Sequence, residues 1–220
     1  MELTLGKNKT VTLKPWKTKT KKDFLNIIKK KEKNLSEEDI LEVLINPYVE
    51  PNDIYFSDDE LQWILINLRN ISIDNNMKFL IECSNCNEDI LVECKLLDLV
   101  QFRENQYPII KNERGWKDIE SLQDYKKGIK QYSDEFPKNI EMLMHLDTVE
   151  GKKFNSLAEK IEYFEDLDLL EGNKIVDEYN EVKSKIDLSY KTKCPHCDYE
   201  GKYIFEELPN FFEPLLPKEL

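Results

Sequence analysis

Two short cysteine pairs set the tightest limit on how this chain can fold: Cys83-Ser84-Asn85-Cys86 and Cys194-Pro195-His196-Cys197. Each follows a strand-like run, Lys78–Glu82 in the first case and Ile186–Tyr190 in the second, and each leads into another, Ile90–Val92 and Tyr203–Phe205. A C-x-x-C turn between two strands aims both sulfurs at one point about 2.3 Å from a metal, and two such turns supply the four thiolates of a closed tetrahedral site. The spacing therefore predicts one structural zinc ion on Cys83, Cys86, Cys194 and Cys197. The alternatives are four reduced, buried cysteines or a redox pair of the thioredoxin kind. The redox motif belongs after a strand at the opening of a helix, whereas both pairs here sit between strands. Roughly a hundred residues separate the pairs, far more than the 15–20 of a compact ribbon, so the middle of the chain reads as an insertion pinned at its root.

Five cysteines, four of them in metal-type pairs, suit a reducing compartment. Cys94 is left over, a core position on the strand after the first pair. The 220 residues carry a net charge of −12, with 35% charged and 40% hydrophobic residues. That charge argues against nonspecific nucleic-acid binding. No apolar run reaches the roughly 18 residues needed to span a membrane, and the N-terminus lacks a signal-peptide pattern. The charge is uneven: residues 7–33 are strongly basic and most of the rest is acidic, which favours protein partners with complementary patches.

The expected fold is α+β: an N-terminal β-hairpin and helices, then a four-cysteine zinc-ribbon-like β module split by a mainly helical insertion. Residues 1–76 read as a hairpin (Leu3 and Leu5, then Val11 and Leu13) and three helices. The first helix starts near Thr20 and carries Phe24, Leu25, Ile27 and Ile28. Ser36-Glu37-Glu38-Asp39 resembles a capping box for the second, which ends at Asn46-Pro47, and Ser57-Asp58-Asp59-Glu60 is a capping box for the third. Residues 77–95 and 186–207 form the two halves of the cysteine module. Within the insertion, 96–185, Leu96–Phe102 fits strand or short helix, and Tyr107–Ile110 fits a short strand. Trp116–Tyr132 reads as loop with helical turns. Later helices carry Ile140, Leu143 and Leu146, then Leu157, Ile161 and Phe164 behind a cap at Asn155 or Ser156, then Ile175, Tyr179 and Val182 after a turn at Gly172. The expected arrangement is a helical hairpin or small bundle. The tail, 208–220, is apolar and proline-rich, and packs on its own domain or on a neighbour.

Catalytic chemistry finds little support. The six glycines form no phosphate-cradling loop, and neither G-x-S-x-G nor H-E-x-x-H occurs. His145 reads as a helix-surface or partly buried residue, and His196 as turn filling with its ring outward. Acidic clusters such as Asp58-Asp59-Glu60 sit where solvation or helix capping accounts for them. A site closed by four thiolates has no open position for water. The chain reads as a non-enzyme with no small-molecule substrate.

Several stretches together resemble the baseplate proteins of T-even-like, contractile-tailed bacteriophages, as a hub or hub-assembly component. They are Leu13-Lys14-Pro15-Trp16-Lys17-Thr18-Lys19 after a short hairpin, the lysine-rich helix that follows, the paired cysteine turns, the helix opening at Phe154-Asn155-Ser156-Leu157, and the Phe211-Phe212 ending. The resemblance implies a place in the virion tail baseplate, assembly in the host cytoplasm, other baseplate or hub proteins as partners, and no enzymatic activity. Trp16, Lys17 and Lys19 at the basic end, and Phe211, Phe212, Leu215 and Leu216 in the tail, are the expected partner contacts. Two other readings stay open: a hub-assembly chaperone absent from the mature virion, and a zinc-ribbon regulator that works with nucleic acid through Lys7–Lys33.

Overall fold

The computed structural model describes residues 1–30, 40–119, 121–132, 139–206 and Phe211. The capping box at Ser36 and most of the tail lie outside them.

Strands β1 (Glu2–Gly6) and β2 (Lys9–Leu13) form the expected hairpin, with Leu3, Leu5, Val11 and Leu13 buried in strict alternation. A third strand, β3 (Val49–Glu50), extends it along β2. Two residues are too short to show a strand period in sequence. Helix α1 (Thr18–Lys30) buries Phe24. A wider helical turn, Leu41–Ile45, tightens into a single 3-10 turn at Asn46–Tyr48, where Pro47 fits because a first-turn position needs no N–H. Helix α2 (Asp58–Ser72) opens with the predicted reciprocal cap: the Ser57 hydroxyl accepts from the Glu60 N–H, and the Glu60 carboxylate accepts from the Ser57 N–H. Its Ile64 and Leu68, four apart, pack on the N-terminal sheet, while Ile66 turns into the cysteine module. One helix thus walls two cores.

The cysteine module begins with the hairpin β4 (Asn76–Glu82) and β5 (Asp89–Lys95), in register from Asn76–Lys95 to Glu82–Asp89. Met77, Phe79, Ile81, Ile90 and Val92 point inward. A 3-10 turn at Leu96–Leu99 then feeds β6 (Val100–Arg103), so this stretch is both of the structures its sequence allowed. Leu96 and Leu99 are buried in the cysteine core, which extends the module past residue 95.

The insertion contains a four-stranded antiparallel sheet in the order β10-β9-β8-β7, built from β7 (Ile109–Lys111), β8 (Arg114–Trp116), β9 (Leu146–Val149) and β10 (Lys152–Lys153). It is therefore not a plain helical bundle. Strands of two to four residues carry too few alternations to be told from loop. Its helices are α3 (Leu122–Tyr132), α4 (Ile140–His145), α5 (Leu157–Glu165) and α6 (Leu169–Val182). Helix α3 takes up most of the stretch expected as loop with helical turns. Leu122, Tyr125, Ile129 and Tyr132 recur at three- and four-residue steps and are half-buried along one face. Ser156 caps α5, and Asp168 caps α6, leaving Gly172 inside the first turn of α6 rather than ahead of it. Trp116, Ile140, Leu143, Leu146, Ile175 and Val182 centre the insertion core. His145 lies in it too, 3% exposed, stacked 4.7 Å from Tyr107, with Nδ1 bonded to the Lys117 carbonyl. The surface placement is corrected: α4 has only six residues, and its end turns inward to start β9.

After α6 the chain returns along β11 (Lys185–Lys193), which pairs with β6 through its first half and with β12 (Glu200–Ile204) through its second. The insertion is thus rooted between adjacent strands. A second, polar joint ties it to the N-terminal module. Lys9 on β2 meets Glu60 on α2 at 2.5 Å, both nearly inaccessible, and Asn105 donates to the other Glu60 oxygen at 2.9 Å. Gly6 permits this contact, since a Cβ there would lie 2.5 Å from the Asn105 side chain.

Candidate metal centre

The two cysteine turns are built alike. In each, the first cysteine's N–H donates to the carbonyl five residues on: Cys83 to Glu88 at 2.9 Å, Cys194 to Tyr199 at 2.8 Å. Its carbonyl accepts from the N–H four residues on, from Asn87 at 2.9 Å and Asp198 at 3.0 Å. Asn87 and Asp198 both hold left-handed backbone, φ 58° and 59°, which Asn and Asp tolerate best among residues with a Cβ. A C-x-x-C followed directly by Asn or Asp was thus a legible signal that the spacing argument did not use.

Because β11 is the middle strand of the three-stranded sheet β12-β11-β6, and that sheet and the β4-β5 hairpin pack on one core, the turns face each other across it. Cys83 Sγ lies 3.7 Å from Cys197 Sγ, Cys86 Sγ lies 3.7 Å from Cys194 Sγ, and all four sulfurs fall within 4.8 Å of one another. A tetrahedron with metal–sulfur bonds of about 2.3 Å puts its sulfurs about 3.8 Å apart. No disulfide joins them, since that bond is about 2.05 Å long and all five cysteines are free. The redox alternative lacks its structural context, because both pairs close hairpins and neither opens a helix.

The electrostatics fit the same donor set. Backbone N–H groups of Cys86 and Asn85 pull the Cys83 thiol down to about 6. The Asn85 side-chain amide, 3.5 Å from Cys197 Sγ, and the Tyr199 N–H hold Cys197 below the usual thiol range. At Cys86 the Glu88 N–H favours the thiolate, but burial and the crowding sulfurs outweigh it and push the thiol up to about 12. Cys83 and Cys197 are thus eased towards the thiolate while Cys86 is held back from it, as crowded sulfurs oppose one another's charge. Four such sulfurs can hold a metal ion, with no ligand position left over. His196 is exposed, and its backbone N–H points at Cys194 Sγ from 3.4 Å. Cys94 is half-buried beside this core, and burial raises its thiol.

The expected partner contacts are scattered. Trp16 is half-buried and held by its own module: Nε1 donates to the Leu44 carbonyl and its N–H to Ser72 Oγ, each at 2.8 Å. Lys17 and Lys19 are exposed, Lys19 facing Asp23 at 3.9 Å. Phe211 is buried in the cysteine core, with the Arg69 guanidinium 4.9 Å from its ring, so it packs on its own domain. Phe212, Leu215 and Leu216 lie outside the described residues.

A family model described as T4 bacteriophage base plate protein matches residues 1–213, which takes in both cysteine turns and the whole insertion. The chain belongs to that family. No curated protein and no solved structure matches it. A baseplate protein of this kind is a structural component of the phage tail, placed in the virion's baseplate and in contact with other tail proteins. Among the described residues, no helix is long and apolar enough to cross a membrane.

Proposed function

We propose that this baseplate protein is a non-enzymatic component of the hub region, acting through protein–protein contacts, and that Cys83, Cys86, Cys194 and Cys197 hold a structural zinc ion. The convergence of four sulfurs from hairpins far apart in sequence supports this reading, since their separations match those of a tetrahedral thiolate site. Four soft thiolates select zinc among the common divalent ions. The ion would supply no reaction. Its four ligands would hold the root of the insertion closed and present the insertion rigidly to neighbours. Exposed Lys17 and Lys19 are the proposed contacts at the basic end, with Phe212, Leu215 and Leu216 at the tail.

Elemental analysis of protein expressed without tags is expected to find one zinc per chain, and mass spectrometry of purified virions to find the chain at fixed stoichiometry. A zinc-free native protein would remove the metal. Absence from finished particles would make the chain an assembly chaperone instead. Tight binding in a gel shift, steeply weakened by salt, would favour the nucleic-acid regulator.

A further inference from the structure

In a chain of net charge −12, one cavity of about 480 Å³ is lined by three lysines, Lys117, Lys127 and Lys160. It lies between α3, the first turn of α5 and the residues just after β8. Lys160 is the unusual one. It is only 9% exposed, and its Nζ donates to the Met144 carbonyl at 3.3 Å. An ammonium has three donors, and among the described residues no carboxylate comes within 4.0 Å of this one. The nearby Asp147 is already shared between Lys117 at 3.3 Å and Lys153 at 3.9 Å. Burial first, then the charge of Lys117, brings the Lys160 ammonium down to about 8. If packing alone were at stake, a methionine would fill the same space without burying a charge.

We propose that this cavity binds a carboxylate, with Lys160 as the buried ammonium that pairs with it and Lys117 and Lys127 at the rim. The other walls mix apolar Ile119, Met144 and Leu157 with polar groups, among them the carboxylates of Asp118 and Asp124. Those two aspartates oppose a highly charged anion, so a single carboxylate at the buried ammonium suits the site better than a phosphate. The volume falls within the roughly 300–1,000 Å³ of small-ligand sites, enough for a four- or five-carbon dicarboxylate or for an acidic side chain of a neighbouring tail protein. The site shares no residue with the cysteine cluster, so it stands or falls separately from the zinc reading.

The full-length, metal-loaded protein would be titrated by NMR with glutarate, with a capped glutamate-rich peptide, and with sodium chloride at matched ionic strength. Saturable shifts are expected at residues 117–119 and 156–160 with a carboxylate and not with chloride. Lys160→Met, which keeps the aliphatic stem, is expected to fold and to weaken binding about tenfold or more. Lys126→Met, outside the cavity, leaves binding unchanged. Response to the peptide alone assigns the source to a partner's side chain, and response to glutarate, with or without the peptide, to a free dicarboxylate. No saturable shift with either carboxylate, an equal response to chloride, or undiminished binding by a folded Lys160→Met protein overturns the proposal.

Discussion

Two joints close this molecule, and they work by opposite means. At the sulfur joint, Cys83, Cys86, Cys194 and Cys197 crowd four groups that repel one another once ionised, so a cation among them would favour the thiolates. At the polar joint, Lys9, Glu60 and Asn105 satisfy one another: Lys9 and the Ser57 N–H share one Glu60 oxygen, Asn105 takes the other, and Asn105 in turn accepts from the Tyr107 N–H at 3.2 Å. The first joint gathers four metal-type donors that an ion could bridge, and the second pairs two buried charges that would be costly alone. The difference teaches that a long-range contact can be made by donors a metal could bridge or by polar groups that bond one another, and that this chain has one of each.

The largest effect is expected at the sulfur joint. Cys194→Ser should lose the zinc and much of the stability, because metal binding of about 10–16 kcal/mol in small zinc domains is folding energy. Zinc content and thermal melts read this directly. Native melting and full assembly activity in that variant would sink the role proposed for the metal.

Acid probes the neighbourhood of the polar joint. Burial, with Lys9 also opposing the charge, holds His145 down at about 3, against an ordinary 6.5. A base whose folded value is depressed contributes full stability above pH 6.5 and loses it as pH falls towards 3, up to roughly 4–5 kcal/mol. Melts from pH 7 to 4 are expected to show a flatter acid limb for His145→Phe than for the native protein. Thiolate protonation acts on both proteins alike, so the difference between the curves isolates the histidine.

At the polar joint itself, Glu60→Ala leaves Lys9 buried and unpaired, with an expected loss of about 3–5 kcal/mol in urea unfolding. Lys9→Met combined with Glu60→Gln should recover most of it, since no charge then stays buried. A double variant as unstable as Glu60→Ala would mean that packing, not charge pairing, makes this joint. The smallest effect belongs to the exposed Lys78–Glu93 pair on the first cysteine hairpin. Lys78→Ala is expected to change stability by less than about 1 kcal/mol, because solvent screens such pairs.

Legibility followed the length scale of the interaction. The capping box at Ser57, the N-terminal hairpin and the strands flanking each cysteine pair depend on residues within a few positions, so they could be read in order along the chain. The insertion's sheet could not, because strands of two to four residues are defined by their partners and not by their own pattern. The same holds for β6, whose place beside β11 is decided by a strand more than eighty residues later. Lys9 belongs to the basic stretch 7–33, and its burial against Glu60 and Asn105 has no signal near it in sequence.

The sequence by itself determined the metal-type ligand set, because C-x-x-C between strands dictates where two sulfurs point whatever the rest of the chain does. Tertiary structure alone decided that the two turns meet with sulfurs 3.7 Å apart, that Phe211 is buried in its own core, and that Lys160 is buried with its Nζ on the Met144 carbonyl. Each of those depends on which distant surfaces pack together. That choice is made by the burial of whole faces, such as the two sides of α2, and no local run of residues encodes it.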